Sequence, residues 1–120
     1  MATSVVPNDM MNLQTVSIPA ENQTGLSNPT TGDIHVIRDK SRFAICRFKT
    51  NKPVKSSSSG WYTLFTFPDE IAPTYDLKFM LQDDHNGESI QARVWVDTKS
   101  LDVYAPRAGA VVWGSFYYIL

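Results

Sequence analysis

The chain has 120 residues, the usual size of one domain and too short for two independently stable cores. A formal net charge of −1 and a charged fraction of 19% give no basic field able to hold a phosphate backbone, which argues against nucleic acid as a partner. Aromatic residues reach 12%, with Trp61, Trp95 and Trp113 beside five tyrosines and six phenylalanines, a balance that favours strands.

No run approaches the roughly 18 apolar residues of a membrane span, and the N-terminus lacks a basic start followed by an apolar stretch. The expectation is a protein made in the cytoplasm that reaches an outer surface by assembly and release. The lone Cys46 lies in an apolar run and reads as a small core residue.

Residues 1–31 are polar and broken by Pro7, Pro19, Gly25 and Pro29, and are expected to form a lead-in or linker outside the core. Within them the alternating run Leu13 to Ile18 fits an edge strand. From residue 32 onward the pattern is that of a β domain. Ile34 to Ile37 and Arg42 to Phe48 flank a charged turn and predict a hairpin. The polar stretch 49–60, with its serine run, predicts a mobile loop.

Trp61 to Phe67 is a strong strand closed by Pro68, and Tyr75 to Gln82 resumes extended structure. Asp83 to Glu88 carries an Asn-Gly turn signal. Ile90 to Val96 then alternates, placing Ala92, Val94 and Val96 on one face and Gln91, Arg93, Trp95 and Asp97 on the other. A tight turn leads to Leu101 to Tyr104, where Leu101 and Val103 join the core and Asp102 and Tyr104 point outward beside Arg93 and Trp95. After the break at Pro106 to Gly109, a final apolar strand from Val111 to Leu120 reads as central or interface-packed. About seven strands without helical periodicity predict an all-β fold, an antiparallel β-barrel or sandwich.

This order of elements, Gly32-Asp33-Ile34-His35-Val36, Phe43-Ala44-Ile45-Cys46-Arg47-Phe48, a polar loop ending in Gly60-Trp61, a strand closed by Phe67-Pro68 and the end Gly114-Ser115-Phe116-Tyr117, resembles the C-terminal head domain of receptor-binding proteins of tailed phages that infect lactic acid bacteria. The resemblance covers residues 32–120. It implies a homotrimeric β-barrel head on a thin extended neck, attached to upstream baseplate or tail proteins at the virion tail tip, and binding saccharide of the host cell wall. In such heads the binding side chains project from the penultimate hairpin, where this sequence has Arg93, Trp95 and Tyr104 in place of the family's His, Asp and Trp. The resemblance therefore implies the location of the site and not its specificity. Arg107 stands nearest to a further arginine of the family pattern.

Sugar recognition needs a flat apolar face and a few fixed polar groups, which Trp95, Tyr104, Arg93, Asp97 and Asp102 supply together if they share a face. A second reading stays open, in which Trp95 packs against a neighbouring subunit and Arg93 pairs with Asp102 across the hairpin. Asp83 and His85 join the candidate list as tip residues. The acidic run around them lacks the ligand order of a calcium loop and reads as a solvated turn, so no metal and no cofactor is expected. With two histidines, no nucleophile elbow and no phosphate-cradling glycine loop, the chain is not expected to be an enzyme. Three functions compete: a phage host-adhesion head, a structural virion or fibre trimerisation domain without glycan affinity, and a carbohydrate-binding module of a hydrolase.

Overall fold

A computed structural model describes residues 13–39, 42–49, 52–84 and 87–120, with the side chain of Lys49 left out. It is all-β. Eight strands, β1 (Leu13–Ser17), β2 (Ile34–Asp39), β3 (Phe43–Lys49), β4 (Trp61–Thr66), β5 (Leu77–Asp83), β6 (Ser89–Trp95), β7 (Ser100–Tyr104) and β8 (Val112–Ile119), form one antiparallel sheet in the order β1-β2-β3-β8-β5-β6-β7-β4. The only helical turns among the described residues are two three-residue 3₁₀ segments.

The sheet curls into a half-barrel. Its two four-stranded halves meet where β5 pairs with β8, and that pairing is short, Gln82 with Trp113 and Asp83 with Val112. Beyond it the two strands diverge, and Phe79 and Phe116 pack in the opening with ring centroids 4.3 Å apart. Ile34, Val36, Ala44, Cys46 and Phe48 from one half face Leu81, Ala92, Val94, Leu101 and Val103 from the other, all of them buried. Period-two alternation thus places one face of each strand in a common core.

The expected β2–β3 hairpin is present, paired from Ile34 with Phe48 to Asp39 with Phe43; Lys40 and Ser41 of its turn lie outside the described residues. The expectation of a lead-in outside the core does not describe residues 13–31. There β1 pairs along β2 at the edge, and Ile18 and Leu26 are fully buried. The core side chains are few and widely spaced, which is why the polar composition hid them. Residues 1–12 lie outside the described residues.

The connection from β1 to β2 also seals the far edge of the sheet. The Gly25 N–H donates to Leu64 O at 3.0 Å, the Asn22 side chain donates to Thr66 O, and the Tyr62 hydroxyl donates to Gly25 O. The polar loop before β4 is tied into the same seam: Val54 is buried, forms a bridge with Leu26, and donates to Ala110 O at 2.7 Å. Where the sequence suggested a mobile loop, a single buried valine and four backbone bonds at Pro53, Val54 and Lys55 fix the course of its described part.

Candidate functional site

The outward face of β4, β7 and β6 carries the site. Register places Arg93 opposite Asp102, Asp102 opposite Thr63, and Lys78 of β5 opposite Arg93, so that Lys78, Arg93, Asp102 and Thr63 form one row across four strands. Trp61 stands opposite Tyr104 on one side of this row, and Trp95 opposite Ser100 on the other. A polar row between two aromatic walls results.

A β-bulge in β4 makes the arrangement possible. Strict alternation over Trp61-Tyr62-Thr63-Leu64-Phe65 would turn Phe65 outward with Trp61. The register shift between Thr63 and Phe65 instead buries both Leu64 and Phe65, while Trp61 and Thr63 keep the outward face.

Arg93 is the centre of the group. Its guanidinium carbon lies 4.4 Å from the Trp61 ring centroid and 4.7 Å from that of Trp95, and its Nε donates to Asp102 Oδ2 at 3.0 Å. The Thr63 hydroxyl donates to the other carboxylate oxygen at 2.8 Å. The Trp61 and Tyr104 rings meet edge to face at 5.3 Å. Asp102 is only 4% exposed, so its charge is compensated inside the cluster, as a buried carboxylate requires. Cation–π contact with two indoles and a charge-assisted bond hold the guanidinium plane in a fixed orientation. Among the described residues Arg93 hydrogen-bonds through Nε.

Of the residues expected from sequence, Arg93, Trp95, Asp102 and Tyr104 come together, and the cross-hairpin Arg93–Asp102 pair is present. Asp102 is buried and accepts hydrogen bonds from Arg93 and Thr63. Asp97 does not share the strand face expected of it: β6 ends at Trp95, and Val96 to Lys99 form a four-residue turn that leaves Asp97 exposed. Lys99 adopts a left-handed conformation (φ 55°) to close that turn, which removes Asp97 from the alternation.

Arg107 and Asp83 bind each other at 3.1 Å. They line a shallow cleft of about 210 Å³ together with Glu88, Gln91 and Tyr104, so the cleft adjoins the aromatic cluster through Tyr104. His85 lies outside the described residues. Sequence reasoning missed Trp61 and Thr63 as site residues. Their position depends on β4 pairing with β7, a contact made across some 40 residues of chain, and the one available signal was an exposed-type tryptophan at a strand start after glycine.

Among the described residues no three His, Cys, Asp or Glu side chains converge as a metal ligand set, and no helix is long and apolar enough to cross a membrane. No protein-family model matches the chain, and no curated protein matches it at a significant level.

Proposed function

We propose that this chain is a saccharide-binding head of a phage receptor-binding protein, which adheres to cell-wall polysaccharide of a Gram-positive host without catalysing a reaction. The observation that supports the reading is the Trp61–Arg93–Trp95 stack on one solvent-facing strand face. Indole faces offer the flat apolar surface that the CH side of a sugar ring covers, and a guanidinium fixed between them donates to hydroxyl or acidic oxygens. Gln91 and the cleft along Tyr104 and Arg107 extend the polar lining on one side.

In this reading the head acts at the virion tail tip, attached through upstream baseplate proteins and working as a homotrimer. Modest affinity at each site becomes firm attachment through many copies. A structural fibre domain is the second reading, favoured by the apolar face of β3 and β8 described below, which suits self-assembly alone.

The test is calorimetric titration of wall polysaccharide into the full chain and its Trp95→Ala and Trp61→Ala variants. Each variant is expected to keep its fold and weaken binding at least tenfold, about 1.4 kcal/mol. Unchanged affinity in both would remove the stack from the account.

A further inference from the structure

The sheet opens between β5 and β8. Their ladder holds Gln82 with Trp113 and Asp83 with Val112 and then stops, while β5 stays paired with β6 from Leu77 and β8 stays paired with β3 to Ile119. Phe79 and Phe116 pack together in the fork and against the core. A cleft of about 300 Å³ is left there, lined by Leu77, Lys78, Phe79, Ser115, Phe116 and Tyr117.

The backbone along this cleft is polar. The Leu120 N–H donates to Arg42 O on the β3 side, and the Ile119 N–H donates to the Tyr75 hydroxyl on the β5 side. Alternate residues of a strand direct their peptide groups to the same neighbour, so the N–H and C=O of Ser115 and Tyr117 share the direction of Ile119. They face the cleft, where the β5 ladder no longer reaches them. Such groups need partners, and a hydroxyl-rich ligand supplies both donors and acceptors. The outward side chains suit the same ligand: Ser115 adds a hydroxyl, Lys78 an exposed ammonium, and Tyr117 a ring that is 79% exposed. Among the described residues Lys78 forms no ion pair.

Lys78 stands opposite Arg93, so the cleft begins one strand away from the indole–guanidinium cluster and on the same outward face. Continuing the β5–β8 register past Gln82 and Trp113 brings Lys78 level with Tyr117. Thr63, Asp102, Arg93, Lys78 and Tyr117 therefore fall on one line across β4, β7, β6, β5 and β8. With strands about 4.8 Å apart, that line runs roughly 19 Å, more than one sugar ring covers. Past Tyr117 it enters the apolar face of β3 and β8, where Ile45 and Ile37 continue the row and Phe43 and Ile119 flank it. Those side chains offer a hydroxyl no partner, so the polar track ends at Tyr117. We infer that the β5–β8 cleft is a second saccharide subsite, joined to the indole–guanidinium cluster by Lys78, and that the ligand is an internal stretch of a polysaccharide chain lying across the strands. The inference rests on the saccharide reading of that cluster.

Calorimetric titration of the full chain with size-fractionated fragments of a lactic-acid-bacterial wall polysaccharide, cut by partial hydrolysis, tests it. Affinity is expected to rise about tenfold or more from the shortest bound fragments to those long enough to reach both subsites. Tyr117→Ala is expected to remove that rise and to leave the affinity for the shortest fragments within about twofold. Its ring lies mostly in solvent, so the variant keeps its fold. Lys78→Ala is expected to weaken binding of the long fragments, and Trp95→Ala to weaken binding at every length. Affinity that does not depend on length, or a Tyr117→Ala protein that keeps the full rise, would overturn the inference and leave the first site standing. A Tyr117→Ala protein whose mass by light scattering differs from the wild type would also overturn it, assigning the ring to contact between copies. If neither the fragments nor the intact polysaccharide of any strain binds, the saccharide reading fails and the inference fails with it.

Discussion

In the proposed saccharide site Arg93 couples stability to recognition, since the contacts that orient its guanidinium also neutralise the buried Asp102. Truncating it leaves a carboxylate in the sheet face with Thr63 as its remaining side-chain donor. Full loss of a partner from a buried pair costs about 3–5 kcal/mol, and because the Arg93 side chain keeps 23% exposure the expected cost of Arg93→Ala is about 2–3 kcal/mol by urea denaturation. A loss below about 0.5 kcal/mol would place the pair with ordinary surface ion pairs. Two buried groups give the fold an alkaline limit. Burial pushes the Cys46 thiol well above its ordinary 9.0, and burial followed by the Cys46 charge pushes the Tyr118 phenol well above 10.0. Both are held neutral when folded, so the unfolded chain releases these protons first as pH rises. Their contribution is complete below about pH 8.5 and is lost progressively above it, toward the raised folded values. The melting temperature is expected to be level from about pH 7 to 8.5 and to fall beyond; Cys46→Ala should delay the onset of the fall toward the tyrosine range, and a level profile to about pH 11 would contradict the assignment.

At the scale of elements, the two ends of β4 show how an edge strand becomes part of a site. Its bulge keeps Trp61 and Thr63 outward while Phe65 turns into the core, and its free edge is sealed by the segment around Gly25. A Cβ on Gly25 would lie 2.2 Å from Thr63 O and 2.9 Å from Leu64 Cα, both backbone atoms that cannot swing aside. Gly25→Ala is therefore expected to cost about 2–3 kcal/mol by thermal or urea unfolding, in the range of overpacked sites. It should also weaken saccharide binding by displacing Trp61, whereas a neutral substitution would show that the seam does not constrain β4. The hairpins β2–β3 and β6–β7 were legible in the sequence because alternation and turn residues act over a few positions. So was the shared face of Arg93, Trp95 and Tyr104. The neighbours β3 with β8, β8 with β5 and β7 with β4 were not, since each is chosen by packing between distant segments. Trp61 went unrecognised for that reason, Asp97 was misplaced by a turn that starts two residues earlier than the alternation suggests, and the buried Ile18, Leu26 and Val54 were masked by polar surroundings.

As a whole, the molecule presents two unlike faces on the two halves of one curled sheet. The half made of β5, β6, β7 and β4 carries the indole and guanidinium groups, and the half made of β1, β2, β3 and β8 exposes Tyr117, Ile119, Leu13, Phe43 and Ile45. In the proposed head, several copies would present several saccharide sites to the same wall. Whether the indole–guanidinium face binds wall saccharide is tested most directly by binding of the purified full chain to cell-wall polysaccharides from a panel of Gram-positive lactic acid bacteria. Saturable binding to some strains and not others is expected, weakened at least tenfold by Trp95→Ala. Absence of binding across a broad panel by a folded, assembled protein would contradict it.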